Sequence, residues 1–132
     1  MADKVEFELV SPERLLLSRS VDMVVVPGAE GDFGVLRGHA PLISTLRLGV
    51  IDVHDAGGVS DRIFVAGGFA EVTAERCTVL AEQAMPVADL DRGQIEGEIK
   101  SLRDGLAVAD GDAERAALAA RIAVAEAKLS YA

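Results

Sequence analysis

Pro27-Gly28-Ala29-Glu30-Gly31-Asp32-Phe33-Gly34-Val35-Leu36-Arg37-Gly38-His39-Ala40-Pro41-Leu42 packs four glycines and two prolines into sixteen residues. It lies between the β-branched run Met23-Val24-Val25-Val26 and an apolar run from Leu42 to Ile51. Glycine serves where the backbone needs positive φ or a close approach, and proline where φ is fixed and no donor is wanted. So many special positions in one place predict an ordered connection of defined shape between strands.

The pattern on either side is that of strands. Val5, Phe7 and Leu9 alternate with Glu6, Glu8 and Val10, a period of two that buries one face. Val21 to Val26 is a longer β-branched run, and Leu46, Leu48, Val50 and Ile51 to His54 continue the theme, with a bulge or tight turn expected at Gly49. Asp55-Ala56-Gly57-Gly58 has the composition of a hairpin turn and leads into Arg62-Ile63-Phe64-Val65. Gly67-Gly68 reads as a break before Phe69 to Thr73, and Cys77-Thr78-Val79-Leu80 follows a further turn. Eight to ten short strands at this spacing predict an antiparallel β-sandwich over residues 1–87. With four phenylalanines, one tyrosine and no tryptophan, its core is built from Val, Leu, Ile and Ala.

After Asp89 the period changes. Ile95, Ile99, Leu102 and Leu106 form one helical stripe, and Leu118, Ile122, Ala125 and Leu129 form another. Ala109-Asp110-Gly111-Asp112 separates them, with Asp112 the expected N-cap of the second helix. Residues 88–132 are therefore expected to be an antiparallel two-helix hairpin. Gly93, Gly97 and Gly105 weaken its first helix by about 0.5–1 kcal/mol each relative to alanine.

Net charge is −9, which argues against nucleic acid and anionic membrane surfaces, since both are held by Lys and Arg. Cys77 is the single cysteine, so no internal disulfide can form, and a strand thiol reads as inert packing. No leader-like segment opens the chain and no apolar run approaches a membrane span, so a reducing compartment is expected, with any membrane link made through a partner. His39 and His54 lack partners at metal-ligand spacing, and Asp89 and Asp91 read as helix-opening acids. The glycine stretch has neither the spacing nor the lysine of a phosphate loop, and Glu30 and Asp32 would repel phosphate. No catalytic, metal or cofactor-binding residues are expected.

Val26-Pro27-Gly28, Gly31, Gly34-Val35-Leu36, Gly38-His39-Ala40-Pro41-Leu42, Leu46 and Gly49-Val50-Ile51 together resemble the epsilon subunit of F-type ATP synthases. Val65-Ala66-Gly67-Gly68-Phe69 with Glu71-Val72, then Leu80-Ala81-Glu82-Gln83-Ala84 and Leu90-Asp91, extend the resemblance in order along the chain. It implies a non-catalytic central-stalk subunit that couples rotation of the c-ring to ATP synthesis through gamma. The location implied is peripheral, on the cytoplasmic face of a bacterial inner membrane. By motif, Asp32 would face the polar loops of the c-ring, His39 would lie near the gamma and c junction, and Ser11 would approach gamma.

The resemblance also implies a regulatory hairpin that reaches the alpha and beta subunits when extended. Relatives that bind ATP carry Arg-Ala where this chain has Gln94-Ile95, so ATP binding is expected to be absent or very weak. From Asp89 onward six basic residues face nine acidic ones, which predicts weak inhibition of ATP hydrolysis. The alternative is a free-standing small-ligand or nucleotide-binding sandwich with a helical lid. The two differ in one respect: an adaptor exposes an apolar patch on the sandwich, and a ligand protein encloses a pocket.

Overall fold

In the computed structural model, which describes residues 3–132, the alternating and β-branched runs become eight strands. These are β1 (Val5–Val10), β2 (Leu15–Val21), β3 (Met23–Gly28), β4 (Gly31–Val35), β5 (Leu42–Thr45), β6 (Gly49–Asp55), β7 (Gly58–Val72) and β8 (Arg76–Pro86). They pair in the order β2-β1-β8-β7-β6-β3-β4, with β5 also on β7. Pairings are antiparallel except between β1 and β8, which run parallel, a departure from the wholly antiparallel expectation. No hairpin joins the first strand to the last, so closure of the fold sets their relative direction.

The inward residues of these strands make one core. Val5, Phe7, Leu9, Val21, Val24, Val26, Val35, Ile51, Val53, Val65, Val72 and Val79 are almost wholly buried in it. Aliphatic side chains dominate because β-branched residues pack well on a pleated surface.

β7 organises the sandwich. One edge bonds β8 in constant register from Ile63↔Pro86 to Val72↔Cys77. The other edge bonds β6 up to Gly49↔Val65 and then β5 from Thr45↔Phe69 to Leu42↔Val72. The change of partner falls at Gly67 and Gly68, whose φ angles are +77° and +108°. The glycine pair thus bends a continuous strand, where the sequence pattern suggests a break.

Other expectations shift in the same way. β3 continues through Pro27 to Gly28, and β4 lies inside the glycine-rich stretch, so that stretch begins as a tight hairpin turning at Ala29 and Glu30. Gly49 opens β6 without a bulge: a Cβ there would lie 2.9 Å from Pro27 Cβ, so a close approach explains the glycine. The bulge sits at Val53 and His54. Asp55 to Gly58 forms the expected turn, with positive φ at Ala56 and Gly57.

Lys4 Nζ donates to Asp55 Oδ1 at 2.8 Å, tying the start of β1 to this turn. That hydrogen bond and the attendant charges hold Asp55 below its ordinary 3.8 and Lys4 above its ordinary 10.5. For Asp55 the stabilisation is complete above pH 3.8 and is lost as pH falls through the depressed folded value. For Lys4 it is complete below pH 10.5 and is lost as pH rises through the raised folded value. Lys4→Met is expected to move the Asp55 titration midpoint upward, read by carboxyl-carbon NMR. An unmoved midpoint would show that the pair does not persist in solution.

The second compact unit runs Val87–Ala132. After a 3₁₀ turn at Val87–Asp89 come α1 (Arg92–Val108) and α2 (Asp112–Tyr131). Asp91 N-caps α1, its carboxylate accepting from Gln94 N–H at 3.0 Å, as expected of an acid that opens a helix. α2 is capped by Gly111 and Asp112 is its first helical residue, so the helix begins one place earlier than expected. Ile95, Ile99 and Leu102 of α1 meet Ile122 and Ala125 of α2, flanked by Leu90, Leu106, Leu118 and Leu129. Both sequence stripes are therefore spent on the seam between the helices. Gly97 has open space where a Cβ would stand, so no packing requirement accounts for it.

Candidate partner interface

Strand pairing carries outward side chains into rows, because directly opposed residues share a face of the sheet. Val10 opposes Leu80, Leu80 opposes Phe69, and Phe69 opposes Thr45. A bulge in the β1–β2 pairing brings Leu15 opposite Val10. Neighbours along the strands, Leu9, Ala70 and Val79, face the core, which leaves Leu80 and Phe69 pointing outward. Leu80 is 39% exposed, Phe69 40%, Leu15 56% and Ile43, two residues before Thr45, 69%. The next outward row holds Glu8, Thr78 and Glu71, with Ile43 opposite Glu71, so the border of the band is polar on β1, β8 and β7 and apolar on β5. Isolated exposed leucines need no explanation, but a connected band of this kind is a candidate interaction surface.

The β3–β4 tip stands on the same end of the sandwich by register. Ala29 N–H donates to Thr45 carbonyl at 2.9 Å, and Thr45 is the residue opposite Phe69. Its turn is held closely: a Cβ on Gly28 would meet the Phe33 ring at 2.8 Å and Gly31 carbonyl at 2.9 Å. Asp32, exposed on β4, pairs with Arg47. Arg47 Nη1 also donates to Gly28 carbonyl at 2.7 Å, and its backbone N–H to Pro27 carbonyl at 3.0 Å. Glu30 is exposed at the apex of the turn.

Ser11 belongs to the β1–β2 turn, directly after Val10 of the apolar row. Its backbone N–H donates to Arg14 carbonyl at 2.9 Å and its hydroxyl to the same oxygen at 3.3 Å. His39 lies in the β4–β5 connection, half-buried, with Nδ1 2.7 Å from Ala40 carbonyl and its ring 6.4 Å from that of Phe33. Gly38 N–H next to it donates to Ala74 carbonyl at 2.6 Å, so this segment rests on the β7–β8 turn. Ser11, beside Val10, and the Ala29–Glu30 tip, beside Thr45, therefore lie at opposite ends of the apolar row, and the His39 segment is anchored at the β7–β8 turn. The polar contacts of Ser11, Asp32 and His39 share no partner. Leu80 and Phe69 are not legible as surface residues in the sequence, because exposure of large apolar residues in strands cannot be read before the register is known.

Burial pushes the Cys77 thiol up to about 12, so it stays protonated and serves as packing. Among the described residues no group of three or more His, Cys, Asp or Glu is placed to hold a metal. Among the described residues no helix is long and apolar enough to cross a membrane.

Residues 4–87 match the family model of the ATP synthase delta/epsilon chain β-sandwich domain. The chain is 57% identical over 127 residues to the ATP synthase epsilon chain of Paramagnetospirillum magneticum, covering 96% of each protein. It is 54% identical over 130 residues to that of Rhodospirillum rubrum, covering 98% of this chain and 97% of the relative. Its fold matches a chain in the cryo-EM structure of the Euglena gracilis mitochondrial ATP synthase with a TM-score of 0.80 at 22% identity, over 96% of this chain and 80% of the other. A chain in the central stalk and c-ring structure of the Tetrahymena thermophila enzyme matches with a TM-score of 0.69 at 15% identity, over 98% and 96%. By its sandwich, its hairpin and these relatives, the chain belongs to the ATP synthase delta/epsilon family and is a non-catalytic subunit of that enzyme complex.

Proposed function

We propose that the chain is a rotor adaptor: its sandwich (residues 1–87) seats on gamma and on the polar loops of the c-ring, and so couples rotation to ATP synthesis. The observation that carries this reading is the exposed apolar row through Phe69 and Leu80, with Leu15 and Ile43 beside it. A rigid, tightly registered sandwich suits transmission of torque, and a band of large apolar side chains suits a lasting contact with gamma. The acidic β3–β4 tip, beside the row, suits basic or polar loops at the surface of the ring. Membrane association then comes through the complex, at the cytoplasmic face of a bacterial inner membrane. Size-exclusion chromatography of the tagged chain with purified gamma, at moderate salt, is expected to yield a one-to-one complex. A folded, monodisperse chain that forms none would favour the alternative, a free-standing ligand-binding sandwich.

The hairpin (residues 88–132) is read as a weak regulator reaching alpha and beta. Its net acidic balance gives little attraction to acidic surfaces, and Gln94 and Ile95 support absent or very weak ATP binding. Ile95 is packed into the seam between the helices. Deleting residues 88–132 in the reconstituted enzyme is expected to raise ATP hydrolysis by less than about fivefold, the lower edge of ordinary allosteric couplings. A larger release would make the hairpin a strong inhibitor.

A further inference from the structure

Arg92 opens α1 at the wrong end for its own helix. The N-terminus of a helix carries partial positive charge, so a cation in the first turn is unfavourable there. The fold gives this charge another use. Arg92 Nη2 donates to the carbonyl oxygens of Leu129 and Ala132, both at 3.3 Å, at the C-terminal end of α2. The last carbonyls of a helix lack partners within it, and the dipole makes that end negative, so a guanidinium is favoured at this place. Within α2 itself, Ala132 N–H donates to Leu129 carbonyl at 3.2 Å. Arg92 thus supplies to α2 what it withholds from α1.

The apolar seam is thin where this contact stands. Ile122 and Ala125 are the buried residues of α2, and Leu129, a turn further on, is half-buried. Arg103 meets Glu126 across the helices at 3.5 Å, nearer the connecting turn on the side of α1. Residues 109–111 close the other end of the hairpin covalently, so α2 leaves α1 from the Arg92 end first. Arg92 also lies 3.5 Å from Glu96, an exposed (i, i+4) pair of small effect.

We propose that Arg92 is the latch of this open end: it ties the start of α1 to the last turn of α2, so that the two helix ends open together. The frequency of opening is then set by a residue outside the apolar seam. The latch belongs to the hairpin itself and requires no regulatory role for it.

Amide hydrogen exchange of the full chain, followed residue by residue by NMR, tests the latch. In Arg92→Gln the amides of Ala125 to Leu129 and those of Ile95 to Ile99 are expected to exchange about two- to fivefold faster, the effect of one charge at a helix end. Sandwich amides such as that of Ile51 are expected to keep their rates. The sign in α1 is decisive. Were Arg92 a surface cation without a hold on α2, its removal would relieve the N-terminus of α1 and slow the exchange of Ile95 to Ile99. Slower or unchanged exchange there would overturn the proposal, even with faster fraying of α2, since Arg92 would then be a local cap and no more. Glu96→Gln removes the pair with Arg92 and keeps the latch, so Ala125 to Leu129 are expected to exchange at wild-type rates. If they quicken as in Arg92→Gln, the effect belongs to the pair with Glu96 and the latch is overturned.

Discussion

Gly68→Ala is expected to prevent the sandwich from folding. A Cβ on Gly68 would stand 1.9 Å from Leu80 carbonyl oxygen and 2.9 Å from Ala81 Cα, both backbone atoms of the paired strand. Neither can swing aside as a side chain would, so β7 and β8 must part where their register is continuous. The φ of +108° adds a further penalty for any residue with a Cβ. Parting the strands also disturbs Leu46 N–H, which donates to Gly68 carbonyl at 3.0 Å. The sum exceeds about 4 kcal/mol, against a total stability of roughly 5–15 kcal/mol for a domain of ordinary size. Gly67→Ala is the informative comparison. There the nearest atom is the Glu82 carboxylate oxygen at 2.5 Å, the movable end of a flexible chain. What remains is backbone strain at φ +77°, about 1–2 kcal/mol, so this variant should fold and melt roughly 4–16 °C lower. Thermal melts by circular dichroism decide it. A Gly68→Ala chain that melts within a few degrees of the wild type would mean that β7 does not bend as described.

The same glycine pair shows where sequence reading stops. Local signals are legible because their cause is local: the alternation of Val5, Phe7 and Leu9 is a strand with one buried face, and Asp55-Ala56-Gly57-Gly58 is a turn needing two positive φ angles. The stripes Ile95-Ile99-Leu102 and Ile122-Ala125 pair off because two narrow apolar faces have each other to cover. Gly67-Gly68 carries the composition of a break, yet it lies inside one strand of fifteen residues. Whether a glycine pair ends a strand or bends it depends on whether the flanking residues keep their partner, and β8 lies outside any local window. β2, Leu15–Val21, lacks clean alternation because Leu16 and Leu17 both pack against the core, so its pattern gives no period. The parallel pairing of β1 with β8 is likewise set by closure, far from either strand in sequence.

For the interface the division is sharper. Asp32 could be singled out from the motif around it, whereas Arg47, fifteen residues on, acquires its role only when the end of β3 is brought to the β5–β6 connection. The apolar row is assembled from β1, β2, β5, β7 and β8, and each of its members looks in sequence like any other strand residue. Partner surfaces of sheets are rows across strands, so they become visible with the register and no sooner.

The row carries the largest functional effect expected of a single substitution. Phe69→Glu and Leu80→Glu are each expected to weaken the complex with gamma by about a hundredfold or more. Covering a phenylalanine or leucine contributes roughly 1.5–3 kcal/mol when the side chain is fully withdrawn from water. A carboxylate in the same place loses that contribution and must in addition be stripped of water without a partner, which costs several kcal/mol more. Two side chains directly opposed at the middle of a contact act as a hot spot, because the surrounding contacts keep water away from them. The free chain has little reason to suffer: both residues point out of the core at about 40% exposure, so melting temperatures should stay near that of the wild type. Val59→Glu is the control, since Val59 is 50% exposed but pairs with His54 near the β6–β7 turn, away from the row. If Phe69→Glu and Leu80→Glu co-elute with gamma as the wild type does, the apolar band is not the seat of gamma. If only these two lose gamma while Val59→Glu keeps it, the row is where torque enters the sandwich, and the stiffness that Gly68 permits in β7 lies directly behind the contact, because Phe69 follows it on the same strand.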